Sequence, residues 1–161
     1  MIFKPHIKRD RITDITVDDL KRYNIKALLL DVDNTMSTHG GQHLTDGLAE
    51  WLAVMSDNQI KLIVLSNARK SRVEPFAERI NLPFIHLGLK PLPFGYWRAV
   101  KALKVKRKNA AIVGDQLFTD MLGGWLSGVK KILLTPIQPE NKRSFIIRRR
   151  IEQIFLKRYN F

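Results

Sequence analysis

The sequence predicts an α/β fold, doubly wound, around a parallel sheet of about five strands. Three observations carry this expectation. Short apolar runs recur along the chain, as the buried strands of a parallel sheet require. Amphipathic stretches at helical spacing separate them. The runs end in polar residues that can do chemistry, and open parallel sheets bind ligands beyond the carboxyl ends of their strands.

The elements follow in order. Residues 1–25 read as a polar, mixed segment whose Thr16-Val17-Asp18-Asp19-Leu20 starts one short helix with an N-cap pattern. The first strand is expected at 26–31, where Ala27-Leu28-Leu29-Leu30 runs into Asp31-Val32-Asp33-Asn34-Thr35. A loop with Gly40-Gly41 covers 37–43, and Leu44, Leu48, Trp51, Leu52 and Met55 place an amphipathic helix at 45–57. The second strand, 61–65, ends at Ser66-Asn67. Val73, Phe76, Ala77 and Ile80 predict a helix at 71–80, with Pro75 favouring a start one turn later. A third strand at 84–87 ends near Gly88 and Lys90, and 91–103 is helical with Pro93 in its first turn. A strand at 110–113 ends at Gly114-Asp115, a helix at 117–126 stops at Gly128, and the fifth strand is 129–134. A last helix at about 142–157 carries Ile147, Ile151, Ile154 and Phe155 on one face. Trp51 and Trp97 are expected in the core.

Composition narrows the class. A chain of 161 residues suits one domain spanning 1–161 with a real core. With no cysteine, disulfides and thiolate zinc sites are excluded, which fits a cytoplasmic setting. No apolar run approaches the ~18 residues of a membrane span, and 1–12 lacks the apolar core of a secretory signal. Lys and Arg number 28 against 15 Asp and Glu, a net charge of +13, which points to an anionic partner. There is no GxxxxGK[ST] and no GxGxxG, so nucleotide-triphosphate and dinucleotide sites lack support.

Asp31, Asp33, Ser66, Lys90, Asp115 and Asp120 all fall at or just after expected strand ends. This set suits phosphoryl transfer. A carboxylate can attack phosphorus and split one hard step into two; Asp31 suits that role. A second carboxylate, Asp33, can protonate the leaving oxygen and then activate water. Ser66 and Lys90 can clamp the phosphoryl oxygens. Asp115 can hold Mg²⁺, which takes oxygen ligands, and Asp120 can ligate through water or orient Asp115. His39 and His43 are not expected to bind metal, because Gly40-Gly41 interrupts any helix between them.

These residues resemble the motifs of the haloacid dehalogenase (HAD) superfamily, subclass III. Asp31-Val32-Asp33-Asn34-Thr35 matches its DxDxT motif, Leu65-Ser66-Asn67 its second, Lys90-Pro91 its third and Gly114-Asp115-Gln116-Leu117-Phe118-Thr119-Asp120 its fourth. More narrowly, the sequence is similar to the YqeG-type branch, relatives of phosphatidylglycerophosphate phosphatase. The resemblance implies a Mg²⁺-dependent phosphomonoesterase with Asp31 and Asp33 catalytic. It implies Ser66, Asn67 and Lys90 on the phosphate, and Asp31, Asp115 and the Asp33 backbone carbonyl on the metal. Thr35 and Asp120 would stand behind them. One departure is the run Gly123-Gly124-Trp125-Leu126-Ser127-Gly128, where the family pattern is more polar.

Only 30 residues separate Thr35 from Ser66, and 67–89 number 23. Both stretches are consumed by elements the sheet needs, so no separate cap domain is expected, since domains take at least ~50 residues. An open site suits a phosphate displayed on a large surface, with phosphatidylglycerophosphate the best substrate. The basic segments 98–108 and 142–158 suit an anionic membrane surface approached peripherally from the cytoplasm, RNA or a ribosome, or a solvated outer face. Two other classes stay open: an RNA- or ribosome-associated binding protein with incidental catalysis, and a phospho-accepting signalling domain, against which Asp33 argues.

Overall fold

A computed structural model describes residues 2–37 and 43–137. Its six parallel strands are β1 (Ile7–Arg9), β2 (Ala27–Leu30), β3 (Lys61–Leu65), β4 (Phe84–Ile85), β5 (Ala110–Gly114) and β6 (Lys130–Leu134), in the order β1-β6-β5-β2-β3-β4. The helices are α1 (Val17–Arg22), α2 (Leu48–Asp57), α3 (Lys70–Arg79), α4 (Pro93–Ala102) and α5 (Leu122–Ser127), with a π-helical turn at Leu117–Met121 leading into α5. The expected helix at 142–157 and most of the loop at 37–43 lie outside the described residues.

Alternating residues of each strand feed two apolar layers. Leu28, Leu30, Leu62, Val64, Ala111, Val113, Ile132 and Leu134 face one way, against Leu20 of α1, Trp51 and Met55 of α2 and Phe76 of α3. Leu29, Ile63, Leu65, Ile112 and Leu133 face the other, against Tyr96 and Ala99 of α4 and Met121. Each large side chain buried this way contributes roughly 1.5–3 kcal/mol. With both faces covered, the strands read as continuous apolar runs.

The sheet differs from the expected five strands by one. Strand β1 pairs with β6 through Ile7↔Ile132 and Arg9↔Leu134. Its three residues show no alternation, so nothing local announces it; pairing with the β6 edge creates it. The polar-looking segment 1–25 also supplies Ile12, Ile15, Leu20 and Ile25 to the core, and the Trp51 indole N–H donates to the Ile15 carbonyl at 2.9 Å. Helix α1 starts as expected. Thr16 accepts from the Asp19 N–H while Asp19 accepts from the Thr16 N–H, a capping box.

Helix α3 does not wait for Pro75 but runs through it from Lys70. Pro75 is exposed and lies well inside the helix, so the lost backbone hydrogen bond falls on the solvent side, while Val73, Phe76 and Ala77 bury the opposite face. Pro93 is the first residue of α4, as its missing N–H allows. Gly128 closes α5 in the left-handed conformation. Trp97 departs from expectation. It is 40% exposed; its indole N–H donates to the Ser127 carbonyl and the Arg107 guanidinium lies 5.8 Å from its ring.

From β2 the chain winds through β3 and β4 to one side, then returns to build β5 and β6 on the other. The winding reverses between β2 and β5, and a doubly wound sheet opens its ligand crevice there.

Candidate active site

Asp31 directly follows β2, and its N–H donates to the Val113 carbonyl of β5 at 3.0 Å. Asp115 directly follows β5. The two carboxylates therefore flank the crevice. Carboxylate oxygens of Asp31, Asp115 and Asp120 lie within 4.8 Å of one another, and all three residues are buried.

The π-helical turn brings Asp120 into this group. Four residues separate it from Asp115, and an α-helix would point the two in different directions. Here the Met121 N–H reaches back five residues to the Gln116 carbonyl, so the wider turn returns Asp120 to the crevice. Such turns gather at functional sites. Gly114 makes room, since a Cβ there would sit 2.2 Å from an Asp120 carboxylate oxygen.

Lys90 threads between the acids. Its Nζ donates to Asp31 Oδ1 at 2.6 Å and to Asp120 Oδ1 at 2.8 Å. Burial works against its charge, but Asp120 and Asp31 outweigh it and hold the ammonium above its ordinary value. Burial pushes the Asp31 carboxyl up to about 7; Lys90 opposes this, while Asp120 and Asp33 add to it. Three buried carboxylates thus gather with one ammonium, which bonds to two of them, and the pocket is left with excess negative charge. An all-oxygen donor set of that charge fits a hard divalent cation.

Asn67 holds Lys90 in place. Its amide donates to the Lys90 carbonyl at 3.0 Å and accepts from the Lys90 N–H at 2.7 Å. The Asn67 side chain, expected on the phosphate, is engaged with the loop that carries the lysine. Ser66 is buried at the end of β3, and its hydroxyl accepts from the Ala68 N–H at 3.1 Å. Thr35 is buried, and its Oγ1 has no hydrogen-bond partner among the described residues. Asn34 turns this loop at φ 57, a conformation asparagine tolerates.

Asp33 stands apart from the three-acid cluster. Its carboxylate accepts from the Arg72 guanidinium of α3 at 2.6 Å. A cavity of about 440 Å³ opens beside it, lined by Asp33, Ser66, Arg72 and Arg79. Sequence reasoning missed Arg72, because nothing in the spacing links position 72 to position 33. It also missed Tyr96, whose buried hydroxyl donates to the Thr119 carbonyl at 2.8 Å, bracing the π-helical turn. A Cβ on Gly123 would lie 2.1 Å from that hydroxyl oxygen, which explains a glycine where the family pattern is more polar.

A family model described as haloacid dehalogenase-like hydrolase matches residues 38–125, more than half of the chain. The chain is also 36% identical over 126 residues to the protein named probable phosphatase YqeG of Bacillus subtilis, covering 78% of this chain and 73% of that one. The chain belongs to the haloacid dehalogenase-like hydrolase family. It is therefore an enzyme, and the expectation of a phosphatase of this family agrees with both likenesses. Among solved structures, a putative HAD superfamily (subfamily III A) hydrolase from Legionella pneumophila superposes with a TM-score of 0.53 at 19% identity, over 74% of this chain and 70% of that one. NagD from E. coli K-12 superposes with a TM-score of 0.58 at 14% identity, over 71% and 90%. At such identities these likenesses show the fold. Among the described residues no helix is long and apolar enough to cross a membrane.

Proposed function

We propose that this hydrolase is a Mg²⁺-dependent phosphomonoesterase that works through a phosphorylated Asp31. The observation that carries the reading is the buried group of Asp31, Asp115 and Asp120 around Lys90, set at the sheet's switch point. Asp31, Asp115 and the Asp33 backbone carbonyl would hold Mg²⁺, with Asp120 beside them. When bound, the ion supplies charge neutralisation for a phosphoryl group entering a negatively charged pocket.

The chain's own groups do the rest. The Asp31 carboxylate attacks phosphorus, and the bond to the leaving oxygen breaks as Asp33 delivers a proton to it. Asp33 then takes a proton from water, which attacks the aspartyl-phosphate and releases inorganic phosphate. Lys90 and the Ser66 hydroxyl hold the phosphoryl oxygens in line. Asn67 positions Lys90, and Arg72 positions Asp33.

The best substrate is phosphatidylglycerophosphate, approached peripherally from the cytoplasmic face of the membrane. Leu89 (57% exposed), Phe94 (55%), Leu92 (48%) and Leu87 (47%) lie within four residues of Lys90 along the chain, and this run of exposed apolar side chains supports an amphiphilic phosphate. A crevice without a separate cap domain would admit a bulky headgroup directly.

A substrate panel tests the reading. Purified protein with Mg²⁺ should release phosphate from an aryl phosphate and, faster, from phosphatidylglycerophosphate in mixed micelles. If lipid, sugar, nucleotide and aryl monophosphates all stay intact, the enzyme is not a phosphomonoesterase. Hydrolysis of water-soluble substrates with none of the lipid would keep the chemistry and remove the substrate.

A further inference from the structure

Because all strands run parallel, their amino ends share the edge opposite the crevice, and that edge is cationic. Lys26 precedes β2, Lys61 opens β3, Arg107 and Lys108 precede β5, and Lys130 and Lys131 open β6. The registers Ala27↔Lys61 and Ala111↔Lys130 align these positions side by side. Between β1, β6 and α5 the edge sinks into a cavity of about 620 Å³. Lys4, His6, Lys108, Lys130 and Lys131 line it, with Tyr23 and Trp125 on its walls and no carboxylate among the described lining residues. Trp125 is 49% exposed.

The cations are crowded and fixed. Lys130 Nζ donates to the Lys108 carbonyl, and Lys131 Nζ to the Ile2 carbonyl at 2.6 Å. Burial and the Lys131 and Lys130 charges hold the His6 imidazole below its ordinary value. Burial and Lys108 do the same to Lys130. Like charges held together inside a concavity, with a half-exposed indole on its wall, are arranged for a ligand that brings several negative charges and flat apolar surfaces.

We infer that this amino-edge groove binds a single-stranded nucleic acid, with phosphates on Lys4, Lys108 and Lys130 and a base stacked on Trp125. Phosphates set the affinity and stacking is tolerant of sequence. A bilayer fits less well. It meets a flat or convex face, and this face is hollow. Strands of four or five residues at ~3.3 Å each would also keep the crevice roughly 15 Å from a membrane docked there. The groove is therefore independent of the phosphoryl site.

The test uses the full chain and a fluorescein-labelled oligouridylate of about 15 nucleotides, its deoxy counterpart, and vesicles of phosphatidylglycerol and phosphatidylcholine. Fluorescence anisotropy at several salt concentrations should show binding of the oligonucleotide that weakens linearly in log–log form. The triple variant Lys4→Gln/Lys108→Gln/Lys130→Gln should bind at least tenfold more weakly at 0.1 M salt and lower the salt slope by roughly 2, at ~0.7 per phosphate contact on a single strand. Trp125→Ala should weaken binding about tenfold while leaving the slope unchanged, which pure charge attraction would not produce. Both variants should hydrolyse aryl phosphate as the wild type does, which also reports that they fold. Unchanged binding in both variants would overturn the inference. So would loss of vesicle binding in the triple variant with oligonucleotide binding intact, which assigns the groove to lipid. A stronger effect on one of the two oligonucleotides tells RNA from DNA.

Discussion

Lys90 is the residue on which the site's balance turns. Lys90→Met would leave Asp31 and Asp120 facing each other in a buried pocket without their shared ammonium. Removing one partner of a buried charge group costs about 3–5 kcal/mol, so chemical denaturation should show a loss of that order along with lost turnover. Asp31→Asn separates chemistry from stability. It should abolish phosphate release by at least ~10³-fold, yet melt no lower than wild type, because it removes one of three crowded acids. Activity in that variant near the wild-type rate would end the nucleophile assignment. Arg72→Gln should be milder, with kcat down about tenfold and KM little changed, since Asp33 loses an orienting partner but keeps its proton chemistry. Asp31, Asp33, Ser66, Lys90, Asp115 and Asp120 were legible as candidates because each closes or follows a strand. Arg72 and Tyr96 were not, because each acts from the side of a helix whose rotation the sequence does not settle.

At the scale of elements, the first strand and first helix depend on one ion pair. Arg9 of β1 donates to both carboxylate oxygens of Asp19 in α1. Burial alone would raise the Asp19 carboxyl; hydrogen bonds from Thr16 and Arg9 outweigh it and hold the group below the ordinary carboxylate range. The sign follows from linkage. A depressed folded-state value gives stability that is present above the unfolded value of 3.8 and lost as pH falls through the folded one. Asp19→Asn should therefore cost about 1 kcal/mol at neutral pH, and the gap between the two melting curves should narrow as pH falls below 3.8. The helices that flank the sheet were legible from their apolar spacing, within a turn at each end. Strand β1 was not, because three residues with one buried side chain carry no periodicity. The π-helical turn was not, because its apolar positions Leu117 and Met121 sit four apart, as they would in an ordinary α-helix.

At the scale of the molecule, the parallel sheet sorts chemistry by edge: carboxylates where strands end, lysines where they begin. Divalent cation binding at the acidic edge should stabilise the whole fold by mass action. Adding millimolar Mg²⁺ to chelator-treated protein should raise the melting temperature and restore turnover together, while Asp115→Asn should blunt both responses. A melting temperature indifferent to Mg²⁺ would contradict a cation site in the crevice. The fold class was legible because alternating strands and helices leave a doubly wound sheet few alternatives. The partition of charge between edges was not, since it appears only once the registers bring Lys26, Lys61, Lys108 and Lys130 into one row.

The widened turn at Leu117–Met121 also has a bearing on how this chain tolerates insertions and deletions. Losing one residue between Gln116 and Asp120 would let the segment coil regularly into α5, a change most helices would accept without harm. Here it would swing Asp120 out of the crevice and strip Lys90 of one of its two anchors. A genetic screen would recover such shortened chains as well-folded, abundant and silent.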